Sequence, residues 1–332
     1  MNNESSENQE INFDNRIPLE ELQQAISKLK AQLNKVIIGQ DNFIELLITA
    51  LLANGHVLIE GVPGVAKTVT AKLFAKTLQT EFSRIQFTPD LMPSDVLGTS
   101  ILSPKTSEFE FKPGPVFSNI VLIDEINRAP AKTQAALFEV MEERQITIDG
   151  KKYKMQPPFM VLATQNPIEQ EGTYALPEAQ LDRFLFKIKV DYPNHDEEIE
   201  ILKSHHNRKG ALPDVNIEPV LSPETLQHLQ EQIQGVMIED KLFNYIAQLV
   251  IKTRNHPHLY LGASPRASIA VMNASKAMAA INARDFVIPE DIKKVLSPVL
   301  AHRIILSPER EMEGVTPESV IEMITNTIEI PR

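Results

Sequence analysis

The chain has 332 residues, 42% of them hydrophobic, with a formal net charge of -11 and a pI of about 5.3. That length allows a sizeable core and about two domains, and the acidic balance argues against a general affinity for nucleic-acid phosphates, although a local basic patch inside a pore would survive it. The absence of cysteine excludes disulfides, thiol catalysis and thiolate metal sites.

Residues 1–15 carry Glu4, Glu7, Glu10 and Asp14, no base and little to bury, the pattern of a disordered acidic tail. There is no basic n-region followed by an apolar h-region, so no secretion signal is expected. Leu46 to Ala53, among the longest apolar runs, is too short for a membrane span, and a cytoplasmic protein is expected. After Pro18, the residues Leu19, Leu22, Ile26, Leu29, Leu33 and Val36 recur at threes and fours and predict an amphipathic helix. Val36 to Gln40 breaks it, and a second helix is predicted from Asp41 to Asn54, closed by Gly55. A nucleotide base would rest near these pieces, although core packing explains their pattern as well.

His56 to Glu60 is an apolar run of strand length. Gly61-Val62-Pro63-Gly64-Val65-Ala66-Lys67-Thr68 follows, and Val69 to Gln79 carries Ala71, Leu73, Phe74, Ala75 and Leu78 at helical spacing. A strand, a glycine-rich turn and a helix make a phosphate cradle. The glycines let backbone N–H groups turn on an anion, and the helix N-terminus adds partial positive charge. Lys67 would reach the β- and γ-phosphates, and the Thr68 hydroxyl would hold Mg²⁺. The strict pattern has Gly before Lys, where this chain has Ala66. A chance Gly/Pro turn before a helix is the bland alternative, and the flanking strand and helix count against it.

Arg84 to Thr88 predicts a second strand. Pro89, Pro93 and Ser94 then mark a loop and a helix cap at Ser94-Asp95. Ile101-Leu102 and Phe109-Glu110-Phe111 predict a hairpin ended by Pro113-Gly114-Pro115, an insertion projecting from the domain. Ile120-Val121-Leu122-Ile123-Asp124-Glu125 reads as a strand buried on both faces of a parallel sheet. It delivers two carboxylates to the edge where open α/β sheets bind ligands. Asp124 would hold Mg²⁺ through water, and Glu125 would orient or deprotonate the attacking water. A strand that merely ends in charged residues is common, but the phosphate loop at this separation argues for the functional pairing.

Ala131 to Glu143 predicts a helix, and Gln145 to Tyr153 a second hairpin turning at Asp149-Gly150. Phe159 to Thr164 is another buried strand, ending in Gln165-Asn166-Pro167, where Asn166 would sense the γ-phosphate, although alone it reads as a turn-forming Asn before Pro. Leu181-Asp182-Arg183 precedes the strand Phe184 to Val190. Tyr192-Pro193 breaks that strand and the composition turns helical, at roughly 196–207, 223–233, 239–254, 265–282 and 290–300. A domain boundary is expected near residue 193, dividing a core at 16–193 from a C-terminal unit at 194–332. Ser264 would cap a helix whose first residue is Pro265. That puts Arg266 in the first turn, where the dipole disfavours a cation, so its guanidinium is expected to face an external anion, although solvent exposure would also explain it. His205-His206 and His256-Pro257-His258 lack a further ligand at metal spacing and read as surface histidines.

Ile38-Gly39-Gln40, Gly61 to Thr68, Phe87 to Asp95, Gly114 to Phe117, Asp124 to Pro130, Thr164 to Pro167, Leu176 to Phe184 and Gly262 to Ala267 together resemble the AAA+ ATPases. Among these the chain resembles the MoxR family, whose members also carry Ala before the P-loop Lys; Phe87 to Asp95 is the most family-specific stretch. The resemblance implies an α/β fold: a P-loop AAA+ core with a parallel sheet between helices, then a smaller all-α C-terminal lid. Residues 98–115 and 145–158 would be its helix-2 insert and pre-sensor hairpin. ATP and Mg²⁺ are the implied cofactors, bound by Ile38, Gly39 and the loop from Gly61 through Val69, with Thr68 and Asp124 on the metal. Asn166 is implied as sensor 1 and Arg266 as sensor 2. Arg183 is implied as the arginine finger on a neighbouring subunit, with Arg128 and Arg144 as rivals.

The implied activity is ATP hydrolysis in a homo-oligomeric, hexameric ring. It would drive chaperone-like remodelling, complex assembly or metal-cofactor insertion in a client protein, with a partner bearing a von Willebrand A domain. Two other classes compete. DNA-dependent AAA+ motors and magnesium-chelatase subunits carry similar inserts, and the acidic charge speaks against DNA. A P-loop kinase or GTPase is the third class, but there is no Asn-Lys-x-Asp base-reading motif, and a small-molecule kinase would not need Arg183 or Arg266.

Overall fold

Helix α1 (Glu20–Asn34) lays Leu22, Ala25, Ile26, Leu29 and Leu33 into the core, the stripe that the spacing predicts. The structure, a computed structural model, describes residues 19–62, 64–104, 107–166, 173–174, 176–207 and 217–331. The expected acidic tail at 1–15, Pro63 and Pro167 lie outside the described residues. In α2 (Asp41–Leu52), every residue from Phe43 to Leu52 except Glu45 is buried. The residue that closes it in the left-handed region is Asn54, at φ 54°, rather than Gly55. Gly55 answers a different need, because a Cβ there would stand 2.5 Å from the Leu185 side chain.

Strand β1 (His56–Gly61) leads through the phosphate loop into α3 (Lys67–Thr77). Strand β2 (Phe82–Gln86) starts and ends two residues before the predicted span. The partner strand decides this: Phe82 pairs with Ile120 and Gln86 with Asp124, where that strand stops. In α4 (Pro93–Leu97) the cap is Met92, not Ser94, and the Asp95 carboxylate accepts from the Met92 N–H at 2.8 Å. The first hairpin is β3 (Gly98–Leu102) with β4 (Phe109–Pro113). Strand β5 (Ile120–Asp124) is wholly buried, and α5 (Ala131–Glu143) follows at its predicted bounds. The second hairpin, β6 (Gln145–Ile148) with β7 (Lys151–Lys154), turns through Asp149 at φ 51° and Gly150 at φ 76°, the left-handed pair that a tight type I′ turn requires. Strand β8 (Met160–Gln165), the short α6 (Glu178–Leu181) and β9 (Phe184–Val190) complete this half.

Among the described residues the main sheet has five strands in the order β2-β5-β8-β1-β9, all paired in parallel. Side chains alternate between two cores, as the pleat dictates. Val57, Ile59, Ile120 and Leu122 face α1, α2 and the C-terminal helices, whereas Leu58, Val121 and Ile123 face Leu137 and Phe138 of α5.

The C-terminal part is helical: α7 (His195–Asn207), α8 (Pro223–Gln234), α9 (Asp240–Arg254), then β10 (Leu259–Leu261) and α10 (Pro265–Ile281). It continues through α11 (Pro289–Leu300), β11 (Ile305–Leu306), α12 (Pro308–Met312) and α13 (Pro317–Thr327). The antiparallel ribbon β10-β11 adds a small sheet to the expected all-helical lid. The alanines of α10, from Ala267 to Ala280, are buried and belong to the same core as α2. Gln23 and Gln230 fasten the two parts by donating to the Ala280 and Leu51 carbonyls, both at 2.6 Å.

Parallel pairing gives the sheet two unlike edges. The C-terminal ends of β1, β5 and β8 carry the phosphate loop, Asp124-Glu125 and Asn166. Residue Arg183 stands just before β9, whose Phe184 pairs with His56 and whose Val190 pairs with Gly61. The six residues of β1 separate these edges by about 20 Å at ~3.3 Å per residue.

Candidate functional site

The phosphate loop leaves β1 at Gly61, where a Cβ would meet the Val190 carbonyl oxygen at 2.7 Å. Gly64 sits at φ 90°, in the region that favours glycine. Ala66 is also left-handed, at φ 59°, which explains why the strict motif has Gly there. Val62 is half-buried, and the Val65 side chain is buried in the core, where it anchors the loop. Lys67 and Thr68 open α3, and the Lys67 ammonium donates to the Gly61 carbonyl. Val69 is exposed at the rim. Gly39, at φ 73°, packs against Glu197, and Gln40 donates to the Asp191 carbonyl at 3.5 Å. This puts Ile38 and Gly39 past the end of β9, on the same edge as the loop.

The loop faces a cavity of about 450 Å³ that Lys67, Thr68, Asp124, Glu125 and Asn166 line together, within the usual size of small-molecule sites. Asp124 is buried. Its Oδ2 accepts from Arg84 Nε at 2.6 Å, and its Oδ1 lies 3.3 Å from Thr68 Oγ1 and 3.2 Å from Thr164 Oγ1. Glu125 turns out of the strand at φ 57°. Its N–H donates to Thr164 Oγ1 at 3.1 Å, and its Oε2 accepts from Gln86 Nε2 at 2.8 Å and lies 3.1 Å from Arg128 Nε. Mg²⁺ takes hard oxygen donors and is held by one or two carboxylates completed by substrate phosphates. The Thr68 hydroxyl beside Asp124 fits that requirement. Among the described residues no group of three His, Cys, Asp or Glu is placed to hold a metal by itself.

The other charged cluster lies on the opposite edge. Glu142, in the last turn of α5, accepts from Arg183 through Nε at 2.8 Å and Nη2 at 2.6 Å, and its second oxygen accepts from Arg266. Those two guanidiniums, Arg183 first, hold the Glu142 carboxyl below the usual carboxylate range. Next to Arg183, Asp182 accepts from Ser264 Oγ at 3.1 Å and from Arg303 Nε at 2.6 Å. Arg303 is buried and also donates to the Asp182, Phe184 and Leu185 carbonyls. Arg144 donates twice to Asn54, at 2.8 Å each.

Residues 56–186 match the family model described as the ATPase family associated with various cellular activities (AAA), and residues 251–324 match the AAA lid domain. The chain is 48% identical to the uncharacterized protein YeaC of Bacillus subtilis, over 94% of this chain and 97% of that one. It is 44% identical to the chaperone MoxR1 of Mycobacterium tuberculosis, over 94% of this chain and 82% of that one. A crystal structure from Cytophaga hutchinsonii, of a protein assigned as an ATPase, superposes with a TM-score of 0.86 at 43% identity, covering 93% of this chain and 96% of that one. The chain belongs to the MoxR family of AAA+ ATPases.

Of the residues that the MoxR resemblance singles out, Lys67, Thr68, Asp124, Glu125 and Asn166 come together, and Arg183 and Arg266 do not join them. The Arg266 guanidinium, expected to face an external anion, is paired with Glu142, and the side chain is 58% exposed. A first-turn cation is relieved as well by an internal carboxylate as by a ligand. Ser264 is the N-cap residue of α10, but its side chain makes no cap and turns to Asp182. Arg84, Gln86, Thr164, Glu142 and Arg303 enter only with the structure. Arg84 and Gln86 left a faint signal, since they alternate with buried Ile85 and Phe87 and so share one face of β2. Among the described residues no helix is long and apolar enough to cross a membrane.

Proposed function

We propose that this MoxR-family chain binds ATP at the phosphate-loop cavity and hydrolyses it at the seams of a homo-oligomeric ring. The phosphates rest on the loop N–H groups and Lys67, and the base lies toward Ile38 and Gly39. Thr68 and Asp124 would hold Mg²⁺, which supplies neutralising charge to the β- and γ-phosphate oxygens. Thr164 fixes the Glu125 backbone, Gln86 fixes its carboxylate, and Glu125 takes the proton of the attacking water. Asn166 donates to the γ-phosphate. Arg183 and Arg266 act on the triphosphate of the next subunit. Their own phosphate loop lies about 20 Å away, across the sheet. The gathering of both arginines at the edge opposite the loop is the observation that carries this reading. Hydrolysis then moves the lid and the two hairpins against a client protein. We infer chaperone-like remodelling, with a von Willebrand A domain protein as partner.

The test mixes two inactive proteins. Arg183→Ala is expected to bind ATP almost normally and to turn over on the order of 10³-fold more slowly. Glu125→Gln is expected to be as inactive, through a fault on its own side of the seam. Mixed rings pair an intact Glu125 with a neighbour's intact Arg183, so ATPase activity should partly return and rise with protein concentration. Mixed rings that stay inactive at every ratio would remove Arg183 from the trans role and turn attention to Arg128 and Arg144.

A further inference from the structure

Glu142 has no place in the chemistry described above, yet it is where Arg183 and Arg266 meet. It is a single carboxylate with one oxygen for each guanidinium, and Arg266 reaches it across 124 residues of sequence. Its side chain is 31% exposed, and those of Arg183 and Arg266 are 24% and 58% exposed. Ion pairs in such a setting are weak and exchange readily, because water competes for both partners. The neighbouring Asp182–Arg303 pair is the opposite case, with side-chain exposures of 16% and 4%. Arg303 also holds the backbone at Asp182, Phe184 and Leu185, so the segment bearing Arg183 is fastened to the C-terminal helices. Buried pairs of that kind are costly to break on one side.

We propose that Glu142 is a positioning residue, which holds Arg183 and Arg266 side by side so that they reach a neighbouring subunit's triphosphate as a pair, from a segment that Asp182 and Arg303 lock to the lid. This rests on the trans reading proposed above. A triphosphate carries more negative charge than one carboxylate and takes the two guanidiniums over at little cost, since both ion pairs stand partly in water. Without Glu142, two like charges at short range repel, and each side chain searches its rotamers alone. A positioning error of about 1 Å costs up to roughly a hundredfold in rate.

The full-length protein tests this. Glu142→Ala is expected to lower kcat roughly ten- to a hundredfold, with KM for ATP and binding of a fluorescent ATP analogue unchanged. Glu142→Gln keeps the shape and one acceptor, and should fall between Glu142→Ala and the wild type. Mixing Glu142→Ala with Glu125→Gln should restore activity, because the faults lie on opposite sides of the seam. Mixing Glu142→Ala with Arg183→Ala should not, because both faults lie on the same side. Turnover of Glu142→Ala at or above the wild-type rate overturns the proposal, since Glu142 would then be idle or a restraint. If Arg183→Ala is rescued by Glu125→Gln and Glu142→Ala is not, the positioning role falls and the seam reading stands. If neither is rescued, the seam reading falls and takes the proposal with it.

Discussion

At the C-terminal edge of the sheet, the charged groups sit at the ends of adjacent strands and touch within one cavity: Thr68, Arg84 and Thr164 on Asp124, Gln86 and Arg128 on Glu125. At the N-terminal edge, Arg183, Arg266 and Arg303 converge on Glu142 and Asp182 from distant parts of the chain. The first arrangement is rigid because backbone holds it; Glu125 and Ala66 are both pinned in left-handed conformations beside a fully buried strand. The second mixes one strong tie with two weak ones. Breaking the buried Asp182–Arg303 pair would cost about 3–5 kcal/mol, whereas an exposed pair such as Arg266–Glu142 contributes at most about 1 kcal/mol. On the proposed reading, one edge receives a ligand and the other presents two cations held by weak pairs.

The most severe way to break this contrast acts on the receiving edge. Lys67→Ala should weaken ATP binding by roughly a thousandfold, since it removes the cation facing the phosphates from a partly desolvated site. Titration with a fluorescent ATP analogue reads this directly, and an unchanged affinity would move the nucleotide elsewhere. The arginine cluster at the other edge should be untouched, so thermal unfolding of the nucleotide-free variant should match the wild type.

Acid attacks the presenting edge first. His56 begins β1, with Nδ1 accepting from the Val161 N–H at 3.0 Å and Nε2 donating to the Met141 carbonyl at 3.1 Å. Burial, with Arg144 adding to it, lowers its pKa from 6.5 to about 3. Protonating Nδ1 would set a proton against the Val161 N–H. The unfolded chain binds that proton near pH 6.5 and the folded chain near 3, so stability is complete above 6.5 and falls as the pH drops through this window. For His56 alone the loss at pH 4 is on the order of 3 kcal/mol. Buried His302, also shifted well below its ordinary value by burial, adds to it in the same direction. Urea midpoints between pH 7 and 4 measure the slope, and His56→Gln, which both donates and accepts without titrating, should flatten it. An equal slope in that variant would exonerate His56.

Arg266→Ala sharpens the comparison with a smaller effect. We expect turnover about tenfold lower, within the roughly hundredfold that misplacing a reacting group costs. The ATP affinity of dilute, unassembled protein should not change, since Arg266 lies on the far edge from its own loop. A loss of affinity under those conditions would put Arg266 at its own nucleotide and erase the distinction between the edges.

The receiving edge was legible in the sequence because each of its parts is local. Gly61 to Thr68 and Ile120 to Glu125 each carry a strand, a turn and their chemistry in consecutive residues. The presenting edge was not. Glu142 looks no different from Glu143 beside it, and nothing near Arg266 announces a carboxylate 124 positions away. The dipole of its own helix marks Arg266 as a misplaced cation without naming its partner. The alternation in β2 placed Arg84 on one face, but its contact with Asp124 depends on the register of β2 against β5. The ribbon β10-β11 pairs three residues with two, too few to alternate. Gly55 misled in a simpler way, because a glycine after a helix suggests a cap, while here Asn54 turns the chain and Gly55 admits Leu185.

The smallest expected effect concerns the residue at which the loop departs from the strict motif. Ala66 holds φ 59° and ψ 16°, a conformation that costs a residue with a Cβ about 1–2 kcal/mol and glycine almost nothing. Ala66→Gly removes that strain. It also frees the unfolded chain, which returns about 0.5–1 kcal/mol of the gain. The net should be a stabilisation on the order of 0.5 kcal/mol, visible as a slightly raised urea midpoint with an unchanged slope. The Ala66 side chain is exposed and the loop's own geometry is already the one glycine prefers, so ATP affinity should stay within about twofold. A clear loss of affinity would mean that the alanine stiffens the cradle before the phosphates arrive, and that the receiving edge depends on preorganisation at this position as well as on its hydrogen-bond donors.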